Sequence, residues 1–337
     1  MTKHFISLIF ISLLAISCGT KKWGTPTGIE VRYSRDAHIN YGKSFKVQTY
    51  LKFDSGKEKE ITGKSELELS SADANVSGSY LELSSYPTSF QEDTVHVLAT
   101  YIKKELNFTT KKSIPYNYKG DLVLEFSGNQ GANGTNGSNG STPLLFKDGK
   151  DGGDGSPGDM GDIGHDISVH IYKKEEDNLY YLRVTDLNAS AVYYFKNKDV
   201  GFPIKVYSKG GTGGAGGTGG DGGDGKDGKK TEKKDKDPGS GGSGGIGGDG
   251  GQGGNGGNVY VFIHPSAKEI KSRITAFLYG GDGGEAGVGG RGGKPGTPEE
   301  GQTAGTPGND GANGNQGLQG IPGPPIQMSV EDFDIDF

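Results

Sequence analysis

Short runs that alternate apolar and polar residues fill the first third of the chain. The segments from Phe45 to Leu51 and from Val95 to Tyr101 are examples, and Gly, Ser, Asn and Asp residues separate such runs. A period of two places the apolar side chains on one face of a strand. The pattern over residues 29–119 therefore predicts an antiparallel β-sandwich.

After residue 120, glycine recurs at every third position in six segments, which we call tracts 1 to 6. They span residues 128–140, 149–164, 210–228, 239–257, 280–296 and 305–323. Tracts 1, 2 and 6 read mainly Gly-x-y, and tracts 3, 4 and 5 read mainly Gly-Gly-x. A period of three matches the left-handed, three-residue polyproline II helix.

Candidate strands flank every pair of tracts. They lie at about residues 122–126, 167–172, 180–184, 191–195, 204–207, 259–263, 274–279 and 329–337. The order strand, tract, connection, tract, strand occurs three times. It predicts a mostly β fold in which a β-base, residues 120–337, carries three antiparallel hairpins of polyglycine II helix, six rods in all. We expect the strands at 259–263 and 274–279 to pair with each other, and 329–337 to close the base.

The number of bare faces predicts where each rod lies. A Gly-x-y rod has one face without side chains and a Gly-Gly-x rod has two, so the latter should occupy the interior. Two alternatives stay open. One is a collagen-like triple helix of three chains, which the Gly-Pro-rich end of tract 6 favours, and the other is a flexible linker.

Eleven aromatic residues lie in the candidate strands of the base. We expect about half of them in its core, the alternative being stacking on sugars. They are Tyr172, Tyr180, Tyr181, Tyr193, Tyr194, Phe195, Tyr207, Tyr260, Phe262, Phe277 and Tyr279.

The first residues of the chain predict a targeting signal. Lys3 and His4 precede an apolar run, so residues 1–17 are predicted to be a signal peptide. The residues Leu14-Ala15-Ile16-Ser17-Cys18 resemble a bacterial lipobox. This resemblance implies cleavage before Cys18 and lipidation of its thiol, followed by a tether over residues 18–28. Gly19 in place of Asp implies the outer membrane, with either leaflet open.

Charge and cysteine content narrow the class of protein. The 36 basic and 42 acidic residues give a net charge of −6, so we expect no attraction to nucleic acid. The single Cys excludes a disulfide within one chain. No segment after the signal peptide has 18 consecutive apolar residues, so we expect no transmembrane helix.

Two resemblances suggest roles for the two parts. Residues 53–62 and 95–101 resemble turn and strand motifs of bacterial Ig-like domains, which implies a spacer. The glycine tracts resemble receptor-binding tips of bacteriophage tail adhesins, and tract 6 resembles collagen-like surface proteins of bacteria. The adhesin resemblance implies that ligand contacts come from loops between the rods.

The sequence contains no motif for catalysis or metal binding. The histidines lack metal-ligand spacing, and no P-loop or Gly-x-Ser-x-Gly element occurs, so we expect no enzyme and no cofactor. Residues 222–227 superficially resemble a calcium-binding nonapeptide, but Lys229 stands where that motif needs an apolar residue. Calcium is kept as an alternative to Asp side chains that face solvent.

The connections between the paired tracts, which we call the tips, are the candidate sites. Tip one is predicted to use Leu144, Leu145 and Phe146, an apolar cluster that marks a contact surface or folds back on the bundle. Tip two supplies Lys229, Lys230, Lys233 and Lys234, which could instead be merely solvated, and tip three supplies Glu299 and Glu300.

These features predict a monomeric outer-membrane lipoprotein that binds a protein or glycan ligand through its tips. The alternatives are an accessory lipoprotein of an outer-membrane protein complex, and a collagen-like trimeric stalk.

Overall fold

The computed structural model describes residues 23–144, 147–176, 178–198, 201–231 and 235–334. The protein is mostly β, with 33% strand and 3% helix, and it contains several sheets. The chain divides into two compact units between Gly120 and Asp121.

The first unit contains eight strands in two antiparallel sheets. The strands are β1 (Pro26–Tyr33), β2 (Ser44–Phe53), β3 (Glu58–Glu60), β4 (Leu67–Ser70), β5 (Ala74–Ser77), β6 (Tyr80–Leu83), β7 (Thr94–Lys103) and β8 (Leu106–Pro115). One sheet has the order β1-β2-β6-β5, with β3 on β2, and the other has the order β4-β7-β8. The alternating segments of the sequence supply the long strands β2 and β7.

One apolar cluster holds these two sheets together. Val47 of β2, Leu81 of β6 and Val95 of β7 are all fully buried in it, together with Ile114 of β8. Along β2 and β7 the buried residues alternate with more exposed ones, as a half-buried strand requires. The cluster draws on both sheets, so burial of this apolar area stabilises the unit as a whole.

An ion-pair group on the surface of the first unit predicts acid sensitivity. The Glu30 carboxylate lies 2.8 Å from the Arg32 guanidinium and 2.6 Å from the Lys52 ammonium. Bonding to Arg32, and then to Lys52, lowers the pKa of Glu30 from 4.5 to about 2. A lowered folded-state pKa stabilises the fold above the unfolded pKa, and this contribution is lost as pH falls toward 2.

We therefore expect Glu30→Gln to reduce the acid-induced loss of thermal stability. The carboxylate is exposed and screened, so the difference should stay below about 1 kcal/mol. Melting temperatures of the two proteins at several values between about pH 5 and pH 2.5 measure it. Parallel pH profiles for wild type and variant would refute the assignment.

The second unit places eight strands in two sheets. The strands are β9 (Leu122–Glu125), β10 (Ile167–Lys174), β11 (Leu179–Asp186), β12 (Ala191–Lys198), β13 (Ile204–Tyr207), β14 (Val259–Ile263), β15 (Ile274–Phe277) and β16 (Gln327–Val330). One sheet has the order β12-β11-β10-β14-β16, and the other has the order β15-β13-β9. β9, β13 and β15 are parallel and precede tracts 1, 3 and 5, whereas β10, β14 and β16 are parallel and follow tracts 2, 4 and 6.

Three predictions for this unit are wrong. β14 and β15 do not pair with each other, because the 3₁₀ helix Pro265–Arg273 separates them and each joins a different sheet. The last strand is Gln327–Val330, so the described residues after Val330 lie outside it. Of the eleven aromatic residues, only Tyr180 and Phe195 are buried. Several others stack in pairs on partly exposed positions, as Tyr207 and Phe277 do with ring centroids 4.5 Å apart.

The glycine tracts are joined by backbone hydrogen bonds into two layers. Tracts 1, 3 and 5 run parallel in one layer and tracts 2, 4 and 6 in the other. The first glycine of a triplet donates within its layer, as Gly213 does to the Asp282 carbonyl at 2.9 Å. The next residue donates across the layers in the antiparallel sense, as Gly214 does to the Asp159 carbonyl at 2.8 Å. Each layer therefore resembles a β-sheet in which neighbouring chains are hydrogen-bonded at every third residue.

The lattice explains why the tracts have so few side chains. A Cβ at Gly213 would overlap the Gly251 carbonyl, and one at Gly214 would overlap the Ala132 carbonyl. Tracts 3 and 4 each bond four neighbouring tracts, whereas tracts 1 and 6 each bond two. Tracts 3 and 4, which have the most neighbours, are Gly-Gly-x, as the number of bare faces predicts. Tract 5 is also Gly-Gly-x, but it bonds three tracts, as the Gly-x-y tract 2 does, and lies at the edge of its layer, so its predicted interior position is wrong.

Candidate binding surface at the tips of the glycine tracts

The strand register continues without a slip into most of the tracts. Leu122 pairs with Ile204, a separation of 82 residues, and the same separation joins Asn133 to Ala215 in tracts 1 and 3. The separations of 70 residues between β13 and β15 and of 92 between β10 and β14 also recur in their tracts. The strand pairing in the sheets therefore fixes the position of each of these tracts along its own axis. It thereby also fixes the position of the tip to which the tract leads.

A repeated side-chain contact locks this register, and we call it the Asx–Gly clamp. In tract 1, the Asn133 side-chain oxygen accepts from the Ala215 N–H at 3.0 Å, and the Gly134 N–H donates to the Ala215 carbonyl at 2.7 Å. An Asn-Gly or Asp-Gly pair thus holds both backbone groups of one residue in the next tract. Among the described residues eleven such clamps form, and their acceptor residues are Asn133, Asn136, Asn139, Asp148, Asp151, Asp154, Asp221, Asp224, Asp227, Asp249 and Asn255.

The clamps change the interpretation of the acidic residues in tract 3. The Asp224 carboxylate is exposed, but it accepts from the Lys294 N–H at 2.7 Å rather than standing free in solvent. The Asp227 carboxylate accepts from the Thr297 backbone N–H, and this hydrogen bond lowers the pKa of Asp227. Within the described part of the chain, no three His, Cys, Asp or Glu side chains lie close enough to hold a metal ion.

A partly buried polar junction anchors the tracts to the sheets. The His165 ring, just after tract 2, lies 2.6 Å from the Asp186 carboxylate, whose side chain is only 4% exposed. The other Asp186 oxygen accepts from the Asn188 and Ala189 N–H groups, each at 3.1 Å. The buried Ser208 hydroxyl donates to the His165 carbonyl at 2.5 Å. Both oxygens of the Asp186 carboxylate therefore accept hydrogen bonds from groups of the protein. These bonds give the His165–Asp186 pair a structural role.

Tips two and three form one continuous surface. Lys229 and Lys236 exchange two backbone hydrogen bonds at 2.9 and 3.0 Å, which close tip two as a hairpin. The Lys230 N–H donates to the Glu299 carboxylate at 2.9 Å, and the Gln302 side-chain amide donates to the Lys236 carbonyl at 3.0 Å. The backbone of tip two is therefore held by side chains of tip three.

Tip one joins the same end of the lattice. The Lys147 carbonyl accepts from the Lys226 N–H at 3.2 Å, and the Asp148 carboxylate accepts from the Ser240 N–H at 2.6 Å. Leu144 lies just before these contacts, and its side chain is 95% exposed. It does not fold back on the bundle, so tip one presents an apolar side chain to solvent beside the charged tips.

The structure describes only some of the predicted site residues. Leu144, Lys229, Lys230, Glu299 and Glu300 are exposed at the tips. Leu145, Phe146, Lys233, Lys234 and Cys18 lie outside the described residues. Gln302 and Lys236 join tips two and three, and Lys147 joins tip one to tract 3. The sequence did not predict these contacts, because the bonds run between segments that are distant in sequence.

The described residues include no helix long and apolar enough to cross a membrane.

Comparison of the chain with models of protein families found no match. Searches of curated proteins and of solved structures likewise found none.

Proposed function

We propose that this protein is a non-enzymatic binding or adhesion module, anchored to the outer membrane through a lipid at Cys18. In this proposal the three tips form the contact surface for a protein or glycan ligand. The arrangement of the three tips at one end of the lattice supports this proposal. Hydrogen bonds join tips two and three to each other and tip one to the tracts, and the Leu144 side chain is 95% exposed. Leu145 and Phe146 follow Leu144 in the sequence, and an apolar cluster of this kind, when exposed, marks a contact surface.

The proposal includes an assignment for each unit. The second unit is a polyglycine II bundle of six rods on a β-base, which the three-residue period of the hydrogen bonds supports. The first unit is an Ig-like sandwich that acts as a spacer, which two antiparallel sheets around one apolar cluster support. The bundle then holds the tips at the end of a stiff support.

The mechanism is preorganisation. A loop that is ordered on binding loses conformational entropy, and this loss reduces affinity. Here the backbone ends of each tip are already fixed by clamps, such as that of Asp227 on Thr297 at tips two and three. Tip residues are therefore presented in one arrangement before the ligand arrives.

A collagen-like trimer is the less favoured alternative. A triple helix needs glycine N–H groups that donate to other chains. In tracts 3 and 4 both glycines of the triplets donate within the same chain, for example Gly244 to Asn309 and Gly245 to Gly220, each at 2.8 Å. These donors are not free for an intermolecular helix.

Replacing Leu144, Leu145 and Phe146 together by Ser is expected to weaken ligand binding at least tenfold, because the apolar contact at tip one is removed. The labelled protein without its lipid would be measured on a glycan array and on intact bacterial and epithelial cells. Val288→Ser is the matched control, since Val288 is 59% exposed on the side of the bundle and should retain binding.

Thermal melting of the triple variant should match that of wild type, because these changes leave the lattice glycines in place. Binding that survives in a folded triple variant would contradict the tip assignment and favour an accessory role in an outer-membrane complex. Equal losses in the triple variant and the Val288 control would do the same.

A further inference from the structure

One edge of the glycine lattice leaves a row of backbone groups unbonded. We call it the tract 1 edge, and it consists of Gln130, Asn133, Asn136 and Asn139. All four residues are exposed, and neither their backbone N–H nor their backbone C=O groups bond to any described residue. They recur every three residues, about 9 Å apart at roughly 3.1 Å per residue.

Tracts 2 and 5 are interrupted at the corresponding positions, and tract 6 has prolines at the two ends of its row. In tract 5, the Gly289 and Gly292 N–H groups are taken by the Asn313 and Asp310 side chains at 2.9 and 2.7 Å. In tract 6, Pro307 and Pro322 each stand immediately before a glycine. In tract 4 the residue at this position of the triplet donates its N–H within the layer. Proline has no N–H and so interrupts an open edge.

Tract 2 is interrupted within its length. Its Pro157 stands immediately before Gly158, the position that Asn133 occupies before Gly134 in tract 1. Tract 6 has four exposed residues at this spacing, Asp310, Asn313, Gln316 and Gln319, whose backbone groups bond to no described residue. Tract 1 differs from tract 6 because its open residues occupy the triplet position that the clamped residues Ala215 and Thr218 occupy in tract 3.

The lattice itself shows which chemistry would fit this row. In the same layer, Ala215, Thr218 and Asp221 of tract 3 are each held by an Asx–Gly clamp of tract 1. The Gly N–H donates to the residue's carbonyl, and the Asn oxygen accepts from its N–H, at distances of 2.7 to 3.0 Å. The tract 1 edge presents the same two backbone groups at the same interval.

We infer that the tract 1 edge binds an extended segment of another polypeptide in which Asn-Gly or Asp-Gly recurs every third residue. The segment lies parallel to tract 1 and clamps Asn133, Asn136 and Asn139 as tract 1 clamps tract 3. It is the three-residue counterpart of adding a strand to an open sheet edge. The site is on the side of the bundle, so it is independent of ligand binding at the tips.

A second copy of this chain fits the edge poorly. Its outer tracts with open donors are tracts 5 and 6. In tract 5, Asp282-Gly283 is the sole Asx–Gly pair, and the Gly289 and Gly292 N–H groups are already bonded. In tract 6 the open N–H groups belong to Asp310, Asn313, Gln316 and Gln319, so no glycine stands at the donor position that an Asx–Gly clamp needs. The six tracts of the chain itself are all used in the lattice. The partner is therefore a separate glycine-periodic polypeptide.

A synthetic peptide of six Gly-Ser-Asn triplets tests this inference by NMR titration of the full chain labelled with ¹⁵N. We expect the Asn133, Asn136 and Asn139 backbone amides to shift and to exchange more slowly with solvent. A scrambled peptide of equal composition, without the period, should leave them unchanged. Equal shifts with both peptides, or no shift at millimolar peptide, would overturn the inference.

Two double variants distinguish binding through the backbone N–H groups from nonspecific binding of the peptide. Asn133→Pro with Asn136→Pro removes two edge N–H groups and keeps an extended backbone, so peptide binding should weaken at least tenfold. Asn133→Ala with Asn136→Ala loses the same side chains but keeps the N–H groups, so it should bind within about twofold of wild type. Equal binding by both folded pairs would contradict the inference. If the proline pair fails to fold, the amide shifts in wild type decide the question.

Discussion

Replacing Gly152 with alanine is expected to destabilise the second unit by about 3 kcal/mol, the upper part of the range for overpacked sites. A Cβ at Gly152 would overlap the Gly220 carbonyl of tract 3, which is backbone and cannot turn aside. Tracts 2 and 3 would have to separate, which also strains the bond from the Gly152 N–H to the Ser243 carbonyl at 2.8 Å. For a unit of this size, the melting temperature should fall by roughly 6–12 °C.

The adjacent glycine provides a matched control. A Cβ at Gly153 would meet the Ser138 nitrogen and hydroxyl at 3.1 Å, and equivalent positions of tract 2 already carry Lys150, Ser156 and Asp159. Gly153→Ala should therefore change the melting temperature by no more than a few degrees, in either direction. If Gly152→Ala and Gly153→Ala have the same melting temperature, tracts 2 and 3 do not approach each other as closely as described.

Removing the three clamps between tracts 2 and 4 is expected to cost about 2–3 kcal/mol. The Asp148, Asp151 and Asp154 carboxylates accept from backbone N–H groups of tract 4 at 2.6, 2.6 and 2.7 Å. Each such bond at an exposed site contributes roughly 1 kcal/mol. Denaturant unfolding of the triple Ala variant, compared with wild type, measures the loss.

The triple Asn variant is the control for charge. An Asn side chain retains the acceptor oxygen, and tract 1 already uses Asn in this role at three positions. Its stability should lie close to that of wild type. Equal losses for the Ala and Asn variants would show that net charge, rather than the clamp, is responsible.

Local periodicity in the sequence was sufficient to locate most strands of the second unit. The runs at 167–172, 180–184, 191–195 and 204–207 all lie within β10 to β13. A period of two is a property of one segment, so it can be read without knowing the partner strand. The same holds for the three-residue period of the tracts.

The pairing of the strands could not be read in this way. β14 and β15 are close in sequence and suggested a local pair, but each joins a parallel neighbour from a distant segment. Parallel pairing at separations of 70 to 92 residues leaves no local signal, because the register depends on the tracts and tips in between.

The sequence contains a signal for the clamps. Asn-Gly and Asp-Gly recur in tracts 1 to 4, and such pairs are usually interpreted as turns or as solvated polar residues. Their function became evident only with the neighbouring tract in place, where Asn136 and Gly137 together hold Thr218. The contacts between tips two and three were hidden for the same reason.

Amide hydrogen exchange in the glycine tracts tests most directly whether one chain forms the lattice that supports the tips. We predict slow exchange for both glycines of each triplet in tracts 3 and 4, such as Gly213 and Gly214, and fast exchange for Asn133, Asn136 and Asn139 at the open edge. Protection should not depend on protein concentration, because every donor bonds within its own chain. Uniformly fast exchange would mean a flexible linker, and protection that grows with concentration would mean association between chains. Either result would contradict the account.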